Sequence, residues 1–214
     1  FKLILLRDRR TRQESTKSSK MSNFQAIELE PVNVEPFQVK EVLRCLIHTI
    51  IFNRALGLVV PKEVDCDTFD ISYAKCNDAE VENNVEAHIE KFANAREKSQ
   101  EKNCRVVLSF YSIKKKQGLW VREDKATGKW EEWVIQINID QPKTKQERDR
   151  QSIIRDRLLK IIQFVDHQEV PFLLAKPAVC FPFKLEYGKS QVEDSSWFGA
   201  SLLKMAKEGL SAKK

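Results

Sequence analysis

The side chains that could bind a metal or catalyse a reaction are few in this sequence, and their spacing does not form a standard site. In one acidic stretch, Asp65, Asp67 and Asp70 resemble the first ligands of a calcium-binding loop. However, Phe69 stands where an oxygen ligand is needed, Asp70 takes the position of the obligatory glycine, and no glutamate ends the loop. Solvated or capping carboxylates are therefore expected here, and no metal site is predicted.

The three histidines do not form a catalytic or metal-binding pair. His48 falls on the polar stripe of a predicted helix, so a solvated side chain is expected. His88 is expected at the core boundary, and His167 at a helix C-terminus, where it can interact with the last carbonyls. The chain also lacks G-x-S-x-G, H-E-x-x-H and a glycine-rich phosphate loop. No enzymatic activity and no cofactor are predicted.

The five cysteines are an odd number, and no C-x-x-C motif occurs among them. Without a signal peptide in the sequence, free thiols in a reducing compartment are the better interpretation. We therefore expect mostly buried thiols, and residence in the cytoplasm or the nucleus.

One lysine-rich segment contains an apolar triplet, which is unusual in an exposed loop. Lys114 to Lys116 precede Leu119, Trp120 and Val121 in a stretch that is predicted to form a long hairpin tip over residues 112–129. Since loops run over the surface, Trp120 either packs back on its own hairpin or contacts a partner. Lysines beside an aromatic side chain are also typical of a nucleic-acid-binding segment. However, four acidic residues nearby reduce the positive potential that would attract phosphate groups.

Length and composition indicate one soluble domain. The chain has 214 residues, 42% hydrophobic and 32% charged, and no uncharged apolar stretch approaches the ~20 residues of a membrane span. Residues 1–20 carry seven basic and two acidic side chains, so only +1 of the net charge of +6 belongs to the other 194 residues. Because the first methionine is Met21, we predict a leader or fused segment over 1–20 and a single domain over 21–214. Alternatively, Phe1 to Leu6 form a short strand on a sheet edge.

Hydrophobic periodicity predicts alternating strands and helices. The expected strands are 24–34 with a break near Pro31, 64–73, 104–111 and 130–139, and the expected helices are 36–56, 77–98 and 145–166. The last third is less regular, with strands possible over 179–187 and a short helix over 197–207. Three helices against a largely antiparallel sheet make an α+β layer arrangement.

The third helix has a second strip beside its core stripe. The core stripe is predicted to consist of Ile154, Leu158, Ile161, Ile162 and Val165. At ~100° per residue, Ile153, Arg157, Lys160 and Phe164 line up next to it. Apolar anchors with a charged rim are typical of a pairing surface. The alternative is that Ile153 and Phe164 merely edge the core.

An ordered set of motifs resembles a known family. It comprises the strand VDCDTFDISY from Val64, the helix segment LIHTIIFNR from Leu46, the hairpin with Lys114-Lys115-Lys116 and Trp120, the pair Trp130 and Trp133, and Glu147-Arg148. These pieces, over residues 24 to 167, are similar to the autophagy-related protein 101 family, small HORMA-domain proteins of the autophagy-initiating kinase complex.

The resemblance implies a HORMA fold, with three helices on a mainly antiparallel sheet, a long β-hairpin and an irregular C-terminal safety-belt region. It implies a non-enzymatic cytoplasmic scaffold at the preautophagosomal structure that pairs, commonly through the third helix, with the HORMA domain of autophagy-related protein 13. The family's hairpin tip carries an exposed Trp-Pro-Phe finger that recruits downstream factors. Here only Trp120 matches, with Leu119 and Val121 as apolar neighbours. The alternative function is a basic nucleic-acid-binding α+β module.

Overall fold

A computed structural model describes residues 24–55, 59–99, 101–117, 122–139, 147–167 and 180–187. Its strands are β1 (Gln25–Glu28), β2 (Val32–Val34), β3 (Pro61–Asp65), β4 (Ser72–Cys76), β5 (Asn103–Gln117), β6 (Arg122–Ile139) and β7 (Phe183–Tyr187). Its helices are α1 (Val39–Asn53), preceded by a 3-10 turn at Pro36–Gln38, α2 (Ala79–Ser99) and α3 (Glu147–His167). This is the α+β arrangement of a HORMA-like fold.

The central sheet is mixed. β5 pairs antiparallel with β6 on one side and with β7 on the other, while β1 and β2 both pair parallel with the far edge of β6. The predicted break in the first strand is confirmed, because β1 ends before Pro31, which has no N–H for the ladder. Trp133, Ile135 and Ile137 are fully buried, at the spacing of two that places them on one face of the strand predicted over 130–139.

The first helix is buried on most sides, as its apolar residues predict. Ten of its fifteen residues are buried, and the chain enters it through the Pro36 turn. The helix ends at Asn53, earlier than predicted, because Arg54 leaves the α region and donates its backbone N–H to the last carbonyls. A helix buried so completely fixes the position of everything that packs around it.

The single strand predicted over 64–73 is wrong. The chain instead forms the antiparallel hairpin β3–β4, with a turn at Asp67–Asp70. The Glu41 carboxylate on α1 accepts backbone N–H bonds from Asp67 and Thr68. Local alternation could not show this turn, because it is held by a helix residue more than twenty positions away.

The long hairpin tip predicted over 112–129 is also wrong in extent. The ladder between β5 and β6 continues past a register shift near Tyr111 as far as Gln117 opposite Arg122. Gly128 takes a positive φ of 55° beside this shift, a conformation that glycine adopts without strain. Polar composition suggested a loop, but a polar segment can also pair as a two-stranded ladder, as β5 and β6 do here.

Helix α2 begins at Ala79, two residues later than predicted. Asp78 caps it by accepting a hydrogen bond from the Val81 backbone N–H at 2.9 Å. Asn77 and Asp78 are both good capping residues, so the start of the helix depends on where the preceding strand ends.

Candidate interaction surfaces

Helix α3 lies over α1 and β2, and its inner stripe is only partly as predicted. Ile154 and Ile161 are buried, seven residues apart and therefore on one face, while Leu158 and Val165 pack against the core edge. Ile162 was predicted in this stripe, but 37% of it is exposed. Adjacent isoleucines lie ~100° apart, so only one of the pair can point at the core.

The apolar members of the predicted pairing strip lie at the edge of the core. Ile153 and Phe164 are partly buried and pack against it. The Phe164 ring meets Trp133 edge to face, with ring centroids 5.2 Å apart. These two side chains therefore help to seat α3 on the sheet.

The basic members of the strip bind Glu30, in the segment between β1 and β2. Arg157 is buried and donates through Nε to the Glu30 carbonyl oxygen at 3.1 Å, and its guanidinium pairs with the Glu30 carboxylate at 2.6 Å. Lys160 reaches the same carboxylate at 2.9 Å. The hydrogen bond from Lys160 and the charge of Arg157 lower the pKa of Glu30, and that bond raises the pKa of Lys160. Only Lys160 of these two is substantially exposed.

Further polar contacts hold the N-terminal half of α3. The buried Arg150 pairs with Glu35 at 2.5 Å, ahead of α1. Gln151 and Arg155 donate to the Asp70 carbonyl oxygen at 2.9 and 2.6 Å. The helix is therefore attached to three separate segments and presents a well-defined outer surface.

That outer surface exposes two large apolar side chains. Leu159 is 49% exposed and Ile162 37%, and their spacing of three places them side by side on the helix. Asp156 and Lys160 border them and are paired at 3.4 Å. Sequence reasoning missed Leu159, although its position ~100° from the partly buried Leu158 is a usable signal.

The predicted hairpin tip of Leu119, Trp120 and Val121 lies outside the described residues. The structure describes the two strands that lead to it, up to Gln117 and from Arg122. Its recruitment role stays a prediction.

A buried ion pair joins the end of α1 to β6, and no sequence pattern predicted it. Arg54 donates to the Glu131 carboxylate from two nitrogens, at 2.8 and 2.5 Å, and neither side chain is more than 1% exposed. Trp133 donates its indole N–H to the same carboxylate at 2.6 Å, and Trp130 lies under the guanidinium. Fully satisfied in this way, the pair fixes α1 against the sheet.

Three ion pairs line the contact of α2 with α1 and β4. Three glutamates of α2 spaced by four residues accept from three cations across the contact, in the pairs Lys40–Glu90, Arg44–Glu86 and Lys75–Glu82. The hydrogen bonds from Arg44 and Lys75 lower the pKa values of Glu86 and Glu82. This polar ladder has a structural role.

The solvated His48 of the sequence prediction is wrong. The side chain is 3% exposed and stacks on Tyr73 with centroids 6.3 Å apart, because hairpin β3–β4 covers that side of α1. Burial and the nearby Lys75 lower the pKa of His48 to about 4, so the ring is neutral near pH 7. His167 was predicted to reach the helix carbonyls, and this is confirmed by a 2.7 Å contact of Nδ1 with the Gln163 oxygen.

The cysteines are all free, and Cys45, Cys76 and Cys104 are buried. A hydrogen bond to Cys66 and burial raise the pKa of Cys45, while burial raises that of Cys76 to about 11 and also raises that of Cys180. Such thiols are poor nucleophiles. Within the described ranges no group of acidic, histidine and cysteine side chains could hold a metal, and no helix there is long and apolar enough to cross a membrane.

The fold agrees with the comparisons to known proteins. A family model described as autophagy-related protein 101 matches residues 31–176. The chain belongs to this family. It is 42% identical over 120 residues to autophagy-related protein 101 of Arabidopsis thaliana, covering 56% of this chain and 55% of that protein. It is 26% identical over 164 residues to the Homo sapiens protein, covering 67% and 74%.

The chain therefore spans about half the length of the Arabidopsis relative that it matches. The Xenopus laevis protein of the same name is 25% identical over 161 residues. The family gives the chain an autophagy-related role.

Proposed function

We propose that this chain is a non-enzymatic scaffold of the autophagy initiation complex at the preautophagosomal structure in the cytoplasm. In this proposal it forms a heterodimer with the HORMA domain of autophagy-related protein 13, stabilises that partner, and helps to recruit downstream factors. The family match over residues 31–176 carries the proposal, since it spans all three helices and the long hairpin. It favours a scaffold over the alternative nucleic-acid-binding module.

The surface best suited to pairing is the outer face of α3. Leu159 and Ile162 supply exposed apolar area, and Asp156 and Lys160 supply a charged rim, which is the usual anatomy of a protein interface. Polar contacts already hold the helix in the free chain, so little further conformational entropy is lost on binding. Of the four residues first predicted, Lys160 keeps a direct role, while Ile153, Arg157 and Phe164 act by holding the helix.

Replacing Leu159 and Ile162 together by Gln should weaken pairing about 30-fold, since two apolar anchors at an interface are worth about 2 kcal/mol. Stability should change by no more than about 0.5 kcal/mol per site, because both positions are exposed and Gln is a good helix former. Calorimetric titration with the partner HORMA domain measures the affinity.

The matched control replaces two exposed apolar residues elsewhere, Phe37 and Val60, by Gln. It should leave the affinity within about twofold. Equal losses in the two double variants would show that α3 is not the pairing face.

Trp120→Ala should abolish recruitment of downstream factors without affecting the pairing. Removing an indole from a partner's pocket costs about 2 kcal/mol or more, as expected of an interface hot spot. Unfolding stability should change by less than about 0.5 kcal/mol. Cells expressing the variant should form the HORMA pair, as judged by co-purification, yet start autophagy poorly. If the variant instead unfolds as readily as a core truncation, Trp120 packs on its own domain and has no recruiting role.

A further inference from the structure

The turn of hairpin β3–β4 is held against the first half of α1. The Glu41 carboxylate on α1 accepts the backbone N–H of Asp67. The turn closes through the backbone N–H of Cys66, which donates to the Ile71 carbonyl oxygen at 2.9 Å. Cys45 lies one helical turn after Glu41, on the same face of α1, and Cys66 directly precedes Asp67. The fold therefore brings two cysteines from separate elements to one contact.

The two thiols touch each other but differ in exposure. A hydrogen bond joins the Cys45 and Cys66 thiols, and this bond, together with burial, raises the pKa of Cys45. Burial and the two neighbouring thiols also raise the pKa of Tyr73, whose ring lies beside the pair. Cys45 is 1% exposed and belongs to the hydrophobic core, whereas Cys66 packs against that core and is only partly buried. One thiol can be reached from the solvent, and the other lies behind it.

A partly exposed thiol with a second thiol directly behind it is the usual arrangement of a redox-sensitive pair. The accessible cysteine meets the oxidant, and its neighbour resolves the product. The residues around Cys66 indicate which oxidant can approach. Glu63, Asp65 and Asp67 are exposed and acidic, so they repel an anionic reagent such as oxidised glutathione. A small neutral peroxide meets no such barrier.

We propose that Cys45 and Cys66 are an oxidation site, at which a small peroxide forms a disulfide that locks hairpin β3–β4 onto α1. The Cys66 sulfur attacks one peroxide oxygen, the O–O bond breaks, and the departing hydroxide takes up the Cys66 thiol proton as water. The Cys45 sulfur then attacks the sulfur of the Cys66 sulfenic acid. The S–O bond breaks, and the hydroxide leaves as a second water with the Cys45 proton. Together the two thiols lose two electrons, and one peroxide is reduced to two waters.

The second step does not require Cys45 to be a good nucleophile in solution. Its raised pKa and its burial protect Cys45 from direct attack by peroxide. A thiol held against its target reacts intramolecularly, however, with an effective molarity that can reach about 10⁵ M or more. Disulfide formation should therefore be faster than further oxidation of Cys66 to the sulfinic acid. The new bond closes the loop of residues 45–66 and stabilises the domain by restricting the unfolded chain.

Peptide mapping of the full chain after treatment with hydrogen peroxide tests the proposal. Trypsin yields peptides 45–54 and 63–75, each of which contains one of the two cysteines. Once the remaining thiols are alkylated, most of this material should be recovered as a single linked species, two hydrogens lighter than the sum of the two peptides. The melting temperature of the treated chain should rise by about 5–10 °C, and dithiothreitol should reverse both changes.

Two variants act as controls, and the mapping of the unmutated chain decides the question even if a variant folds poorly. Cys66→Ser should abolish both the linked species and the rise in melting temperature. Cys104→Ala, which removes another buried thiol, should leave both unchanged. Three outcomes would overturn the proposal: Cys66 oxidised to the sulfinic acid without a link, a link between another pair such as Cys76 and Cys180, or a linked chain that melts no later than the reduced one. The experiment uses this chain alone, so its result is independent of the scaffold function.

Discussion

Arg54→Met should lower the free energy of unfolding by about 3–5 kcal/mol, one of the largest effects expected for a single substitution in this chain. The substitution leaves the Glu131 carboxylate fully buried, and among the described residues only the Trp133 indole N–H remains as a donor to it. It also removes the guanidinium that lies over Trp130 and that ties the end of α1 to β6. Urea unfolding, followed by circular dichroism, measures the loss.

Two variants separate the buried charge from other effects of the substitution. Adding Glu131→Gln to Arg54→Met removes the unpaired charge but keeps an acceptor for Trp133, so part of the stability should return. Arg44→Met breaks a half-exposed pair with Glu86 and should cost no more than about 1 kcal/mol. If Arg54→Met costs no more than Arg44→Met, the buried pair does not hold the domain together.

Trp133→Ala should cost about 3–5 kcal/mol, as a large aromatic truncation in a packed core does. The side chain is fully buried in the middle of β6, donates to Glu131, and supports the Phe164 ring of α3. The substitution therefore opens a cavity, removes a hydrogen-bond donor from a buried carboxylate and weakens the packing of α3 on the sheet. A second consequence follows: pairing through α3 should weaken as well.

Trp133→Phe retains most of the ring and loses the N–H, so an intermediate cost of about 1–3 kcal/mol is expected. Phe37→Ala removes an aromatic ring that is mostly exposed, and should stay within about 0.5 kcal/mol. A Trp133→Ala variant as stable as Phe37→Ala would contradict the assignment of Trp133 to the core.

Local pattern was sufficient wherever one face of an element meets one core. The alternation through Trp133, Ile135 and Ile137 and the apolar run of α1 predicted buried elements of the right type, because period and burial are properties of neighbouring residues. The same local reasoning misplaced Ile162, and it interpreted the charged strands beyond Tyr111 as a loop. A polar composition is common to loops and to paired strands, so it does not distinguish between them.

The candidate surfaces were predicted to the level of the element but not of the side chain. The sequence indicated that α3 has a second face with apolar and basic residues. It could not indicate that Arg157 is used internally, since its partner Glu30 lies 127 positions earlier. The exposure of Leu159 and Ile162 can be recognised only once the packing of the helix on the sheet and α1 is known.

By itself, the sequence determined the three helices, the type of the central strands, the buried face of β6, and membership of a family whose motifs occur in order. Only the tertiary structure decided that His48 is buried, that Asp67 and Thr68 form a turn held by Glu41, and that Arg54 meets Glu131 across 77 positions of chain. The physical reason is the distance along the chain between the residues that interact. Hydrophobic periodicity records how each residue faces a core, whereas a buried charge requires a particular partner, and the fold alone brings that partner within hydrogen-bonding distance.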